Sequence, residues 1–293
     1  MGTTGLAVPA AAPGRAAPRR RFDVALLLAP AVIFYGLVFV WPLLGTFHAS
    51  VSPHGTLTAS EYARFFDSAF YRSVLWRSVR ISVIVTAMTA LLGYPVAVYL
   101  SQGWRRGRGI VTVVMLAPMM VSAVVRSYGW IMILGPNGVL VQLLRGLGLR
   151  HVGSLLYSEA AVVIALTHVF LPFMILAVTG SLQQIDPALP RAARNLGASG
   201  LRAFLRITLP LSMPGVTAGS VIVFCLAASG FVTPALVGGA TVPVMPYLVY
   251  QEGLLTLDWP FASTVAVILL VTTATVTALY SLWGNQRRYG RAS

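Results

Sequence analysis

Six long apolar runs divide the chain, and they limit its fold more than any other feature of the sequence. They are residues 24–45, 79–100, 110–133, 160–180, 211–231 and 261–284. Each run is long enough to cross a hydrocarbon layer of about 30 Å as a helix that rises about 1.5 Å per residue. Only 10% of the residues are charged and the mean hydropathy is +0.80, which excludes a soluble globular enzyme. The sequence therefore predicts an all-α integral membrane protein with six transmembrane helices.

The runs define a transmembrane domain over residues 23–285, with a short tail on each side. The N-terminal tail, residues 1–22, is rich in Ala, Pro and Gly and ends in an arginine run, a composition that predicts a flexible segment. The C-terminal tail covers residues 286–293. The first apolar run exceeds the roughly 7–15 residues of a signal-peptide core, so we expect it to remain as an uncleaved span.

The arginines are distributed unevenly between the two sides of the membrane. All 21 basic residues are arginines, and six spans would return both termini to one side. On that side fall 14 of the arginines, whereas 6 fall on the other side together with five of the seven acids. Because cytoplasmic flanks collect basic residues, both termini are predicted to be cytoplasmic.

Missing residue types exclude several kinds of site. Without lysine, the chain has neither a P-loop for ATP nor a lysine Schiff base. Cys225 is the single cysteine, and the four histidines are too scattered to predict a metal site. No nucleophile, base and acid can be grouped from the sequence, and its basic helices lack the aromatic residues typical of nucleic-acid binding. We expect no enzymatic activity, no cofactor or metal in this chain and no nucleic-acid partner.

Residues 181–210, between the fourth and fifth runs, are polar but patterned. Asp186 is a good N-cap for a first short helix. Apolar residues then recur at i, i+3, i+4 and i+7 as far as Leu196, and Gly197 supplies a left-handed stop. Ser199 can cap a second short helix, which we expect to end before the fifth span.

This loop resembles the cytoplasmic signature of the permease subunits of binding-protein-dependent ABC importers. In that family Glu-Ala-Ala is followed after three residues by Gly, and after nine more by Ile-x-Leu-Pro. The residues that match are Ala192, Ala193, Gly197, Ile207, Leu209 and Pro210. The resemblance implies that the loop, including Leu196, is a coupling helix that docks in a cytoplasmic ATPase.

The loop departs from the family at Arg191, which stands where the family usually has Glu. Either the charge contact with the ATPase is lost, or the partner carries a complementary change. A basic amphipathic hairpin that lies on anionic lipid is the alternative interpretation of the loop.

Five further strings are similar to the spermidine/putrescine type of these permeases. They lie at residues 61–66, 91–100, 124–140, 171–176 and 230–239. The resemblance implies a multi-pass protein of the bacterial inner (plasma) membrane that forms the translocation path for a small, polyamine-like solute. It also implies three protein partners: a cytoplasmic ABC ATPase dimer that binds ATP and Mg, a second permease subunit or a second copy of this chain, and an extracytoplasmic solute-binding protein.

A few residues within the runs are candidates for the translocation path. Arg126 lies about 16 residues into the third run, and along a straight helix it would be about 24 Å from the inner edge, close enough to the outer surface to snorkel. Anchoring at the surface and a role in gating or path lining both remain open. The other candidates are His168, Pro172, Phe231, Thr233 and Pro234. A lone histidine between helices is more often structural, and the segment GFVTP either re-enters the membrane or is an ordinary helix exit.

A secondary transporter or channel driven by an ion gradient is the main alternative function. Such proteins usually keep Asp, Glu or His near the membrane centre, and none of the seven acids is predicted there. An integral membrane enzyme would need a convergent group of polar residues, which the sequence does not show.

Overall fold

The computed structural model describes residues 21–53, 55–101, 107–148 and 153–289, and these residues form helices joined by turns. The helices are α1 (Arg21–Tyr35, Gly36–Val40 and Trp41–Val51), α2 (Ser60–Asp67), α3 (Ala69–Ser101), α4 (Arg108–Met120), α5 (Ala123–Leu134), α6 (Val139–Gly146), α7 (Glu159–Gln183), α8 (Ala188–Asn195), α9 (Gly200–Ala203, Phe204–Thr208 and Leu209–Ser229), α10 (Pro234–Gly238 and Gly239–Thr241), α11 (Met245–Tyr250 and Gln251–Leu255) and α12 (Trp259–Tyr289). Most of the predicted tail 1–22, the predicted loop arginines at 105 and 106, and residues 290–293 lie outside the described residues. The chain divides into two compact units between Gly45 and Thr46.

The all-α membrane fold is confirmed. Among the described residues, five helices are long and apolar enough to cross a membrane, and Arg108–Met120 with Ala123–Leu143 (α4 with α5 and most of α6) passes the same test as a sixth, bent pair. The third run was predicted as one straight helix, and this is wrong because the chain bends by 103° between Arg108–Met120 and Ala123–Leu143. Several ends also differ: α1 continues to Val51, α3 begins at Ala69, and α12 continues to Tyr289. Polar residues in these terminal turns lower the local hydropathy, so the apolar runs end sooner than the helices do.

The main core of the second unit lies where α3, α7 and α9 pack against one another. Its fully buried side chains include Val85 on α3, Met174 and Val178 on α7, and Val223 on α9. A second cluster joins α2, α11 and α12 through Phe65, Leu248 and Phe261, among others.

The packing of α9 on α7 depends on small residues. A Cβ atom added at Gly215 would lie 2.5 Å from Ser181 Cβ, and one added at Gly219 would lie 2.7 Å from Met174 Sδ. The two glycines are four residues apart on α9, as Ala177 and Ser181 are on α7. This is the arrangement by which membrane helices approach closely, since lipid gives helices little hydrophobic reason to associate.

The same contacts fix the direction of each helix. Gly93 on α3 lies against Ile175, near the C-terminal ends of α3 and α7, so these two helices run in parallel. Helix α9 runs the other way, because its early residue Gly215 meets the late residue Ser181 of α7. We call the end that carries residues 184–199 the loop end and the other end the far end.

Candidate functional site

The first helix of the loop begins where its cap predicts. The Ala188 amide donates a hydrogen bond to Asp186 Oδ1 at 2.8 Å, and the Leu189 amide donates to the Asp186 carbonyl at 3.1 Å. These bonds satisfy amides that have no partner inside α8. The carboxylate of Asp186 therefore fixes the point at which the chain leaves α7 and enters α8.

The turn after α8 is a complete Schellman motif. Gly197 has a φ of +87°, and its amide donates to the Arg194 carbonyl at 3.0 Å. The Ala198 amide donates to the Ala193 carbonyl, also at 3.0 Å. Because an added Cβ at Gly197 would meet nothing within 4 Å, the glycine is needed for its left-handed backbone and not for space.

The second part of the loop differs from the prediction. Ser199 Oγ accepts a hydrogen bond from the Arg202 amide at 3.3 Å, so the predicted cap is present. The helix that it starts does not end before Pro210 but continues into the fifth span, so α9 runs from Gly200 to Ser229. A π-turn at Phe204–Thr208 precedes Pro210, and the wider turn lets the helix pass a residue that has no amide hydrogen.

As a result, Ile207, Leu209 and Pro210 lie within one continuous helix and are half-buried. They are not in a free connecting strand between the loop and the span. A movement of the loop would therefore pass directly into the fifth span, since no flexible joint separates the two.

Helix α3 holds this junction in place. The Tyr94 ring packs edge-on against Phe204 with 5.8 Å between ring centroids, and Tyr94 Oη lies 2.7 Å from Ser212 Oγ. Leu182, at the end of α7, belongs to the main core, and Ile185 packs against that core. The base of the loop is therefore fixed to α3, α7 and α9, while its tip extends beyond them.

Most residues of the loop tip are exposed. Leu196 is 89% exposed and Leu189 is 48% exposed, although both belong to the predicted apolar face of α8. Arg191 and Ala192 are also exposed, and Ala193 is half-buried. Among the described residues, no acid forms an ion pair with Arg191. An amphipathic helix whose apolar and basic faces are both uncovered is suited to contact a partner.

At the far end, by contrast, arginines are paired with acids. Arg64 donates to Asp258 at 2.7 Å and to Glu61 at 3.3 Å, and its guanidinium lies 4.0 Å from the centroid of the Phe261 ring. The hydrogen bond to Asp258 is the main reason why the pKa of Arg64 is raised, although desolvation opposes the rise. This group ties α2 to the start of α12.

A second ion pair joins α3 to α7. Glu159 accepts a hydrogen bond from Arg77 Nε at 3.1 Å and another from Arg80. The ion pairs of Glu159 could not be predicted from the sequence, since Glu159 is separated from Arg77 by 82 positions and from Arg80 by 79.

Glu252 is only 7% exposed and is held by hydroxyl groups, with Thr256 Oγ1 at 3.0 Å.

The bend in the third span corrects the predicted position of Arg126. Its depth was predicted for a straight helix, but Arg126 lies in the first turn after the bend. Its guanidinium reaches back, and Nη1 donates to the Pro118 carbonyl at 2.5 Å and to the Val121 carbonyl at 3.3 Å. The side chain is therefore directed to the backbone of α4 and does not extend freely to a membrane surface.

The structure brings some of the other path candidates together around α5. Thr233 Oγ1 lies 3.2 Å from Ser127 Oγ on α5, and the His168 ring packs edge-on against Trp130 with 5.5 Å between centroids. Phe231 packs against Tyr250 at 4.9 Å.

The backbone at Pro172 and after Gly230 can also be compared with what the sequence suggests for these path candidates. Pro172 is buried inside α7 and does not break it, because the helix runs continuously from Glu159 to Gln183. After Gly230 the chain continues towards the far end, because Gly230 lies near Leu166, Gly238 near Val162 and Gly239 near Tyr157. In this segment Pro234 and Val237 of α10 are buried, and Val237 packs with Leu134 and Ala161. Within the described ranges, no group of three or more His, Cys, Asp or Glu residues lies close enough to hold a metal ion.

Comparison with known proteins places the chain in a family. A family model described as "Binding-protein-dependent transport system inner membrane component" matches residues 90–287. The spermidine/putrescine transport system permease protein PotB of Haemophilus influenzae is 34% identical over 225 residues, which cover 76% of this chain and 78% of the relative. The protein of the same name from Escherichia coli is 31% identical over 224 residues and covers 76% and 81%.

Solved structures agree on the fold. A chain from the crystal structure of a bacterial alginate ABC transporter in complex with an alginate pentasaccharide-bound periplasmic protein superposes with a TM-score of 0.76. The match covers 92% of this chain and 95% of that chain at 20% identity, so it shows the fold alone. From the family match and the identity to the two relatives, the chain belongs to the inner-membrane components of binding-protein-dependent transport systems and is a permease subunit of an ABC importer.

Proposed function

We propose that residues 181–210 are the docking site for a cytoplasmic ATPase, and that this loop transmits ATP-driven movement to the translocation path. The observation that carries the proposal is the hairpin formed by α8 and the start of α9. Its tip is exposed, its Gly197 turn is closed by two hydrogen bonds, and its second helix continues into the fifth span. A partner that moves the tip would move that span with it, because one continuous helix joins them.

The residues proposed for ATPase coupling are Arg191, Ala192, Ala193, Leu196, Gly197, Ile207, Leu209 and Pro210. The first five lie on the exposed tip, where small side chains and uncovered leucines leave room for another protein surface. The last three lie in α9 and connect the tip to the span.

The loop end and both termini are proposed to face the cytoplasm. Among the described residues, the far-end arginines Arg64, Arg77 and Arg80 are paired with acids, so their net charge is largely cancelled. The arginines of the loop form no ion pair within the described chain. This difference supports an excess of basic charge at the loop end, as expected of a cytoplasmic side.

The substrate is proposed to be a small organic cation of the polyamine class. Support comes from the two relatives at 31% and 34% identity, whose names give spermidine and putrescine as their solutes. The path candidates are Arg126, His168, Pro172, Phe231, Thr233 and Pro234, and the contacts of Thr233 and His168 with α5 support a place for α5 beside the path.

The proposed partners are an ABC ATPase dimer that binds ATP and Mg, a second permease subunit or a second copy of this chain, and an extracytoplasmic binding protein. The description of the family names a binding-protein-dependent system, and the solved alginate transporter was crystallised with its periplasmic protein. Chemistry at the nucleotide would take place on the ATPase, and the present chain would supply the loop that docks there.

A matched pair of glycine variants tests the coupling role. Gly197→Asp and Gly148→Asp both replace a glycine of left-handed φ, +87° and +94°, where an added Cβ meets nothing within 4 Å. Gly197 lies at the loop tip, whereas Gly148 follows α6 near the far end. Both substitutions place a residue other than glycine in the left-handed region, which costs about 1–2 kcal/mol in each variant. We expect Gly197→Asp to reduce spermidine-stimulated ATP hydrolysis and ATP-driven uptake, and Gly148→Asp to leave both nearly unchanged, at equal amounts of protein in the membrane.

Equal loss in both variants, or loss of the Gly197→Asp protein from the membrane, would show that the glycine matters for folding and not for coupling. Uptake that proceeds without ATP and is abolished by an uncoupler would instead support a gradient-driven transporter.

The basic residue Arg191 gives a second test of the docking surface. If the ATPase carries a complementary acid, Arg191→Glu should weaken copurification of the ATPase more than Arg191→Ala does, because it adds repulsion to the loss of attraction. Stronger copurification with Arg191→Glu would mean that the partner keeps a basic site suited to the usual glutamate.

A further inference from the structure

The break in the third span leaves backbone groups without partners inside the membrane. Helix α4 has 13 residues and is followed by Val121 and Ser122 in extended conformations. Thirteen residues rise only about 20 Å, which is less than the hydrocarbon core of about 30 Å. The C-terminal carbonyls of α4 therefore end within the apolar layer, where water cannot satisfy them.

Arg126 supplies donors to this helix end. Its Nη1 donates to the Pro118 carbonyl at 2.5 Å and to the Val121 carbonyl at 3.3 Å. The C-terminal end of a helix carries partial negative charge, so a guanidinium is favoured there by its charge as well as by its hydrogen bonds. At the same time the Arg126 amide donates to the Ser122 carbonyl at 3.0 Å, as part of the first turn of α5. One residue thus begins the second helix with its backbone and closes the first with its side chain.

We infer that Arg126 is a positioning residue that holds the third span in its bent form, and that it does not act as a charge in contact with the transported solute. The guanidinium bridges the break from the α5 side to the α4 side, so its hydrogen bond to the Pro118 carbonyl holds the bend of 103°. A straight helix would carry Arg126 away from the Pro118 carbonyl, because the two would then be eight residues, or about 12 Å, apart along one axis.

The bend matters because it places α5. Ser127 and Trp130 of α5 contact Thr233 and His168 respectively. If the span straightened, α5 would leave these partners. Arg126 would then affect transport through the position of α5, although the guanidinium itself bonds only to backbone.

The geometry gives a distance that separates the bent and straight forms. Ile110 on α4 and Met132 on α5 are 71% and 78% exposed, so spin labels fit at both positions. In a straight helix these residues would be about 33 Å apart, at about 1.5 Å per residue. With arms of about 16 and 15 Å, and with the bend of 103° between Arg108–Met120 and Ala123–Leu143 used as the angle between them, the separation is about 20 Å.

The experiment uses the full chain in its membrane complex, with Cys225→Ala removing the single native cysteine and labels at Ile110 and Met132. Pulsed electron paramagnetic resonance should give about 20 Å for Arg126 and for Arg126→Lys, since lysine keeps both the charge and the donors. Arg126→Leu should shift the distribution towards about 33 Å and reduce uptake. Arg108→Leu, which changes an exposed arginine on the same helix pair, should leave the distance unchanged.

A distance that stays near 20 Å in Arg126→Leu would overturn the inference, whether or not uptake is lost. If Arg126→Leu fails to accumulate in the membrane, Arg126→Gln decides, because its shorter neutral amide loses the charge and the reach. An unshifted and unbroadened distance in Arg126→Gln would equally overturn the inference. Since the readout is a distance within this chain, the test does not depend on the identity of the solute or of the ATPase.

Discussion

The close packing of α9 on α7 predicts a large effect from the smallest possible substitution, Gly215→Ala. The new Cβ would lie 2.5 Å from Ser181 Cβ and 2.7 Å from the Ala177 carbonyl oxygen, whereas ordinary contact begins near 3.4 Å. The two helices must therefore separate by about 1 Å, which forfeits between a quarter and a half of the dispersion energy of the facing atoms. Overpacking of this kind costs about 1–3 kcal/mol.

Gly180→Ala is the matched control for this effect. Gly180 also lies in a membrane helix, on α7, but an added Cβ there meets nothing within 4 Å. Alanine gains about 0.5–1 kcal/mol over glycine inside a helix, and this gain is common to both variants. The difference between the two variants in their free energy of unfolding therefore reports the steric effect alone.

The assay is an unfolding titration with sodium dodecyl sulfate in mixed micelles, followed by circular dichroism. We expect Gly215→Ala to be less stable than Gly180→Ala by about 1–3 kcal/mol, and Gly180→Ala to be as stable as the parent protein or slightly more stable. Equal midpoints for the two variants, or a more stable Gly215→Ala, would refute the close approach of α7 and α9.

Three further substitutions test single contacts. Tyr94→Phe keeps the ring but removes the hydrogen bond with Ser212, so the free energy of unfolding should fall by about 1 kcal/mol in the same titration. If this bond helps to fix the base of the loop, stimulated ATP hydrolysis should fall as well. Ser158→Ala removes the N-cap of α7 and should also cost about 1 kcal/mol; no change would mean that water caps this helix as well. Arg64→Gln should cost less than about 1 kcal/mol, because Arg64 and its partner Asp258 are partly exposed, and the difference from the parent protein should shrink in high salt.

The sequence predicted the parts of the fold that local rules control. The start of α8 at Asp186, the turn at Gly197 and the cap at Ser199 are all set by hydrogen bonds between residues close in the chain, and all three are present in the structure. The membrane spans were predictable for a similar reason, since a long apolar run must form backbone hydrogen bonds within itself.

The sequence did not predict the features that depend on distant partners. The break at Val121 and Ser122 has neither proline nor glycine at the break itself, and hydropathy runs through it without interruption. Two residues near it are signs in the sequence: Pro118, three residues before the break, and Arg126, whose charge caps the end of α4. The continuation of the loop into α9 was not predicted, because Pro210 separates the predicted second short helix from the fifth apolar run, whereas a π-turn allows the helix to pass this proline.

The docking role of the loop is tested by purifying the tagged chain from its native membrane in mild detergent, identifying what accompanies it by mass spectrometry, and reconstituting the complex into liposomes. We expect a soluble P-loop ATPase in near-stoichiometric amount, with uptake that requires ATP. We also expect the ATPase to be lost with Gly197→Asp and retained with Gly148→Asp. If the chain purifies without an ATPase and still moves solute across liposomes in the absence of ATP, the loop does not couple an ATPase to transport.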